Sequence, residues 1–334
     1  MAKFVQDISY AAEKQAVSVI ADQIMKKLSK TDDYEQRAKL YCKIVDLATK
    51  FLDEFGEEQA KAIRAYVSDP NNRWMKLINQ VIDDADPQYG KKLLMSLGYE
   101  AFFRGTKQIR ESRKKYNCNV PWLILFDPTM ACNMHCKGCW SGTYGRKASL
   151  TYEEMDKIVT EGKELGVHLY MCTGGEPMVK WKEIARLAEK HNDCFFALYS
   201  NSTLITEEVC EQVQKLGNVT FMLSIEGTAD TNDARRGEGH YAAAMKAMDL
   251  LKAHGIVFGT SICYTRDNIE AVTSDEFFQL LSGKGAHFGF YFHFMPVGNN
   301  AVPELMPTPE QRKYMIDRIR YIRSSECDIP FYPM

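Results

Sequence analysis

No stretch of this chain approaches the roughly 18 consecutive apolar residues that a membrane span requires. The start, Met1-Ala-Lys-Phe-Val-Gln-Asp7, has none of the apolar run of a secretory signal. Excess charge is missing too: a net charge of -2 and a pI near 6.4 give no bulk attraction to nucleic acid or anionic membrane. Nor is there a disulfide framework, since most of the ten cysteines stand singly in apolar segments such as Tyr41-Cys42 and Ile262-Cys263, as reduced core thiols do. Together these absences predict a cytoplasmic protein with no nucleic-acid partner and no transmembrane segment. A chain of 334 residues, 45% hydrophobic, is long enough for one large domain and a smaller one around a substantial core.

Two textures divide the chain. Up to about Arg113, apolar residues recur at helical spacing: Val17, Ile20, Ile24 and Leu28, then Leu40, Ile44, Leu47 and Phe51, then Trp74, Leu77, Ile78 and Val81. Asp69-Pro70-Asn71-Asn72 and Asp86-Pro87 are turn or helix-start signals, so residues 1–116 are expected to form an all-helical domain of four or five helices. Its amphipathic stripes fit a cap packed on the next domain, with substrate selection as the sharper alternative. Arg104, Lys107, Arg110, Arg113, Lys114 and Lys115 read as a solvated helix face leading into a linker, or else as a contact for an anionic substrate.

Beyond Asn119, β-branched and aromatic runs alternate with helical segments. Strands are expected at Leu123 to Phe126, His168 to Cys172, Cys194 to Tyr199, Val219 to Ile225, Val257 to Tyr264 and Ala286 to Phe294, each followed by a helix. Six strand and helix repeats predict an α/β domain over 117–334 with a parallel sheet, either a partial (β/α)6 barrel of the TIM type or an open doubly wound sheet. Function then belongs at the C-terminal strand ends. The informative residues fall there: the cysteines after the first strand, Thr173-Gly-Gly-Glu-Pro177 after the second, Ser200-Asn-Ser202 after the third, Glu226-Gly227 after the fourth and Met295-Pro-Val-Gly298 after the sixth.

Cys132, Cys136 and Cys139 stand as C-N-M-H-C-K-G-C, close enough to converge on one metal centre and one ligand short of a closed site. Alone they admit a zinc site completed elsewhere, a redox pair, or a cluster with one open iron. His135 is poorly placed to complete a zinc site, because its ring would have to turn inward among crowded thiolates. Gly174 and Gly175 offer a strand end where backbone can approach a ligand closely, and Glu176 brings a carboxylate near any bound cation.

With Gly174-Gly175-Glu176-Pro177 one strand beyond the three cysteines, the sequence from about Val120 to Gly298 resembles the radical S-adenosylmethionine superfamily. The resemblance implies that Cys132, Cys136 and Cys139 hold a 4Fe-4S cluster whose fourth iron takes the amino and carboxylate groups of S-adenosylmethionine. It also implies that the turn from Gly174 to Pro177 binds the methionine amino group. Ser224 in Leu223-Ser-Ile-Glu-Gly227 and Arg236 in Asp233-Ala-Arg-Arg-Gly237 resemble the ribose-contacting serine and carboxylate-pairing arginine of peptide-modifying members. Taken by themselves they are a strand-end serine and a surface arginine. Asn201, Ser261 and Pro296 are further candidates for lining the nucleoside, and each also fits turn or strand chemistry. The implied chemistry is reductive cleavage to a 5′-deoxyadenosyl radical that takes hydrogen from a substrate C–H bond, fed by a small reductase or a donor of the flavodoxin or ferredoxin type. Lys137, Arg146 and Lys147 would raise the cluster potential if they faced it; exposure is the plainer expectation.

Two departures from the family stand out. Many relatives carry an aromatic residue just before the third cysteine, where this chain has Gly138, with Trp140 on the other side. Peptide-modifying relatives often carry a cysteine-rich C-terminal extension of the SPASM type. Here only Cys327 follows the sixth repeat, so the auxiliary domain is absent or the sequence is a fragment, and the apolar end Phe331-Tyr-Pro-Met334 favours a fragment. The spacing of Ser224 and Arg236 points to a peptide or protein substrate. Alternatives are C–C bond formation on a lipid or isoprenoid, and a non-catalytic iron–sulfur or zinc protein whose helical region recruits a partner.

Overall fold

The structure, a computed structural model, describes residues 2–31, 33–51, 57–144, 147–297 and 301–334; Arg146 and Gly298 lie outside the described residues. Helices α1 (Ala2–Leu28), α2 (Tyr34–Phe51), α3 (Glu57–Val67) and α4 (Arg73–Asp84) precede α5 (Pro87–Leu93), a π-helical segment (Leu94–Gly105) and α6 (Thr106–Tyr116). The chain forms two compact units that divide between Asp83 and Asp84.

In the first unit, Leu28, Tyr41, Val67 and Met75 make a buried core, flanked by Ile24, Leu40, Ile44, Ile63 and Ile82. Of the helical stripes, Ile24, Leu28, Leu40 and Ile44 serve this core, while Ile20 is exposed. On α4, however, Met75 turns inward while Trp74 and Ile78 are exposed. The side chains of Leu47 and Phe51 lie outside the described residues. Asn72 starts α4 by accepting from the amides of Trp74 and Met75 at 3.0 and 3.2 Å, which makes the Asp-Pro-Asn-Asn turn a helix start. Arg37, buried, spans α2 to α4 through Asp83 and Asn79.

The second unit begins with α5, upstream of the change in sequence texture at 116 and 117. Asp86 caps α5 by accepting from Gln88 and Tyr89 amides at 3.0 and 2.9 Å, with Pro87 in the first turn. Two anchors place residues 87–116 with the sheet. Tyr89 is fully buried and its hydroxyl donates to the Val219 carbonyl at 2.9 Å. Gly105 packs so tightly that a Cβ there would sit 2.6 Å from the Gly166 carbonyl oxygen. Helical periodicity alone cannot reveal such docking, because it marks a buried face without naming what covers it.

Strands β1 (Leu123–Phe126), β2 (Leu169–Cys172), β3 (Phe195–Ser200), β4 (Val219–Ser224), β5 (Phe258–Tyr264), β6 (Ala286–His293) and β7 (Tyr332–Pro333) form one all-parallel sheet in the order of the sequence. Between them run α7 (Tyr152–Leu165), α8 (Trp181–Lys190), α9 (Glu207–Leu216), α10 (Ala229–Arg236) with α11 (His240–Ala253), α12 (Ile269–Thr273) with α13 (Asp275–Gly283), and α14 (Pro309–Ile322). This is the expected α/β barrel-like arrangement of six strand and helix units, with one strand more. A two-residue strand ending in proline carries no readable period, so β7 was invisible in the sequence.

Alternation sorts each strand into two faces. Tyr170, Phe196, Phe221, Phe258 and Ile262 point to the helical layer and are fully buried. The inner face holds Leu169, Phe195, Ala197 and Met222, which cluster with Ala101 and with Leu93, Leu97, Trp122 and Leu123. Residues of the segment after α5 therefore fill the lumen at the N-terminal strand ends, and the opposite ends are left for chemistry. Helix starts at that end carry Thr151 in a capping box with Glu154, and Thr206, Thr228 and Ser274 as simple caps.

Because backbone oxygen cannot retreat as a side chain can, Gly105→Ala is expected to destabilise the second unit by about 1–3 kcal/mol. Denaturant unfolding followed by circular dichroism, compared with Ala101→Gly as a reference on the same segment, measures the loss.

Candidate active site

The loop that follows β1 is sewn to the turn that follows β2. Gly175 N–H donates to the Thr129 carbonyl and Glu176 N–H to the Ala131 carbonyl, both at 2.8 Å. Farther back, Thr173 N–H donates to the Phe126 carbonyl at 3.1 Å, and Thr173 Oγ1 donates to Asp127. A Cβ at Gly175 would lie 2.2 Å from the Ala131 oxygen, and one at Gly174, where φ is +101°, would lie 2.5 Å from the Thr129 oxygen. Both glycines are thus required by the approach of one stretch of protein backbone to another.

The far half of the cysteine loop is tied to the end of α10. Lys137 N–H donates to the Arg235 carbonyl at 2.8 Å, and the Cys136 thiol donates to the Arg236 carbonyl at 3.9 Å. Cys132 accepts from Asn201 Nδ2 at 3.8 Å. Cys132, Cys136 and Cys139 are all partly buried. Gly138 has φ +66°, and a Cβ there would meet the Phe294 ring at 2.7 Å. The ring just beyond β6 occupies the space that a side chain at 138 would need, which accounts for the departure at that position. His135, Lys137 and Lys147 are exposed.

Glu176 is buried, and both of its oxygens serve the protein. Oε1 accepts from Met178 N and Ser200 Oγ at 3.1 and 2.9 Å, and Oε2 from Asn201 N at 2.6 Å. Burial pushes its carboxyl up to about 6, against the pull of these donors and of Arg236. Asn201 is likewise fully engaged: its Nδ2 also donates to Asn133 Oδ1 at 2.8 Å, its Oδ1 accepts from Thr203, and its carbonyl accepts from His240 Nε2 at 3.0 Å. The third strand end therefore braces the cysteine loop. His240 also takes a hydrogen bond from Asn232 at 2.9 Å through Nδ1, so it sits neutral, and burial with Arg236 nearby pushes it down to about 4.

Ser224 and Ser261 are register partners on the inner faces of β4 and β5, so the structure brings these two candidates side by side. Pro296 lies three residues past β6 and is half-buried. Arg236 is no surface arginine: its side chain is 11% exposed, and it holds Glu226 Oε1 through Nη2 at 2.7 Å and Nε at 3.0 Å. Arg235 grips the same oxygen. Glu226 is completely buried, and its Oε2 has no partner, nor does Arg235 Nε. Two guanidiniums on one carboxylate leave one positive charge in excess beside Cys136, where both guanidiniums partly offset the upward push of burial on that thiol. Arg235 and His240 went unassigned in the sequence, and Glu226 was picked out as a strand-end residue without a role. The signal for Glu226 was its two-residue phase with Ser224. Cys263 was read as a core thiol, yet it shares the inner face of β5 with Ser261 and pairs in register with Phe292.

Residues 126–277 match the family model described as the radical SAM superfamily. These residues form a radical SAM domain. It is 28% identical over 207 residues to the mycofactocin maturase MftC of Mycolicibacterium smegmatis, covering 60% of this chain and 52% of that one. It is 26% identical over 201 residues to the AdoMet-dependent heme synthase of Methanosarcina barkeri, covering 58% and 57%. The chain therefore spans little more than half the length of these curated relatives. In fold it matches Streptococcus suis SuiB bound to the precursor peptide SuiA, with a TM-score of 0.55, 18% identity, and coverage of 70% and 53%. Radical SAM enzymes use a 4Fe-4S cluster and S-adenosylmethionine. Three partly buried thiols on a loop pinned at both ends, with a surplus guanidinium charge beside them and an unpartnered carboxylate oxygen, fit that pair of groups.

Gly175→Ala is expected to cost about 3 kcal/mol and to part the two loops; thermal unfolding together with faster proteolysis between 128 and 147 reads both effects. His240 gives a pH signature. Its folded value, depressed from 6.5 to about 4, makes the stability it lends complete above pH 6.5 and lost as pH falls through 4, a change on the order of 2–3 kcal/mol. His240→Gln should remove that part of the acid dependence of unfolding, and an unchanged profile would refute the assignment.

Proposed function

We propose that this enzyme modifies a peptide or protein, with Cys132, Cys136 and Cys139 holding the cluster and Gly174, Gly175, Ser224, Ser261 and Arg236 forming the S-adenosylmethionine seat. When bound, that pair supplies a 5′-deoxyadenosyl radical able to take hydrogen from an unactivated C–H bond. The protein's part is to fix the thiols, balance their charge and keep water from the mouth. The carrying observation is the joining of the cysteine loop to the Gly174 and Gly175 backbone at a strand end, with Ser224 and Ser261 two and three strands along the same sheet. In this reading Arg236 works as half of a charge pair with Glu226, and Asn201 and Glu176 brace the loop.

The peptide assignment is supported by the similarity to MftC and by the open mouth of the barrel, where Leu125 and Phe292 are 54% and 47% exposed. Similarity to the heme synthase favours a second reading, a tetrapyrrole substrate. An exchangeable donor of the flavodoxin or ferredoxin type would deliver the electron. Among the described residues no helix is long and apolar enough to cross a membrane, in keeping with a cytoplasmic location.

After anaerobic reconstitution, the protein with S-adenosylmethionine and dithionite should release 5′-deoxyadenosine. Cys136→Ala should lose most of its bound iron and bring that release to background. Iron retained at the wild-type level would remove Cys136 from the ligand set, and a fully loaded protein that releases none would sink the proposal.

A further inference from the structure

The inner wall of the barrel shows what part of a substrate can enter it. Positions 123 and 125 of β1, 169 and 171 of β2, 195, 197 and 199 of β3, 220, 222 and 224 of β4, 259, 261 and 263 of β5, and 288, 290 and 292 of β6 share the inner face by register. None of them is Asp, Glu, Lys, Arg or His. The charges of the site lie beyond the strand ends: Glu176, Glu226, Arg235 and Arg236, paired with one another or with backbone amides, and Asp127 just past β1, which accepts from Thr173 Oγ1.

The depth of the lumen is also bounded. Tyr199 on β3 reaches rings on β6, three strands away, with centroids 6.3 Å from Phe290 and 6.2 Å from Phe292, while Phe290 and Phe292 stack at 24°. This aromatic floor bridges the barrel above the filled core of Leu169, Phe195 and Met222. Burial among apolar groups pushes the Tyr199 phenol up to about 12, as expected of a dry interior. Beside the floor stand Leu125, Met171 and the open edge of Phe292, with Ser224, Ser261 and Cys263 as the polar exceptions.

Resting on the peptide reading, we propose that the slot above Tyr199, Phe290 and Phe292 takes one uncharged aliphatic or aromatic side chain of an extended peptide and presents its C–H bonds beneath the cysteine loop. A carboxylate or ammonium lowered there would lose hydration with no countercharge on the wall to replace it. The carboxylate-bearing rim of a tetrapyrrole meets the same penalty. Specificity of this kind comes from rejecting charge as much as from apolar contact.

The test measures binding to the holoprotein with S-adenosylmethionine and no reductant, so that nothing turns over. Fluorescein-labelled nine-residue peptides differ only at the central residue: Leu, Phe, Asp or Lys. Leu and Phe peptides should bind at least about tenfold more tightly than Asp or Lys peptides, or ~1.4 kcal/mol. Phe292→Ala should weaken Phe-peptide binding about tenfold, and Phe292→Lys should invert the preference towards Asp. The spectral response of the cluster to S-adenosylmethionine serves as the check that each variant is folded and loaded; if Phe292→Lys fails it, Leu125→Lys is substituted with the same expected inversion. Asp or Lys peptides binding as tightly as Leu overturns the inference and leaves the peptide reading standing, as does unchanged binding by both Phe292 variants. Binding of coproporphyrin with no peptide bound overturns both, and failure of every probe to bind overturns the slot.

Discussion

Everything at the mouth of this barrel depends on two backbone hydrogen bonds, from Gly175 and Glu176 to the carbonyls of Thr129 and Ala131. They convert a flexible loop bearing three thiols into an extension of the sheet. Their geometry demands that two consecutive residues have no side chain, because the opposing atoms are carbonyl oxygens that cannot rotate away. Glu176 follows directly and buries its carboxylate against Ser200 and Asn201. In turn Asn201 reaches Cys132 and Asn133. The first three strand ends are thereby one connected hydrogen-bonded body.

The second body of the site is electrostatic. A fully buried Glu226 is tolerable only with a countercharge, and it has two. Arg235 and Arg236 are adjacent in sequence at the end of α10, and their backbone carbonyls receive Lys137 N–H and the Cys136 thiol. Their side chains serve the carboxylate while their main chain serves the cysteine loop. Charge and geometry at the thiols are therefore set by the same two residues.

Much of this was legible in the sequence, and the failures have physical causes. The six main strands, their parallel order and the placement of Cys132, Gly174, Ser200 and Ser224 at one end followed from alternating texture and from the rule that parallel sheets work at their C-terminal edges. The partner of Arg236 did not, because residue spacing gives proximity along the chain and says nothing of which carboxylate is nearest in space. Cys263 looked like a core thiol because Ile262, Phe258 and Tyr264 around it are apolar, yet a strand buried on both faces makes inner and outer residues look alike. The π-helical segment and its Gly105 contact were hidden for a related reason: a helix stripe identifies a buried face and not its counterpart. The reading of Gly174 and Gly175 as a place for ligand approach had the right residue type, to which the structure adds the approach of the protein to itself.

The Phe294 ring behind Gly138 has a consequence for folding order. That contact joins a loop between the first two strands to a residue just past the sixth, so it forms only when all six strands have been laid down and closed. Contacts of such long sequence separation are late and entropically expensive in folding. The thiol loop thus reaches its final shape as a product of barrel closure. A chain meeting iron before that moment offers three cysteines on an unshaped tether, and one meeting it afterwards offers a finished socket.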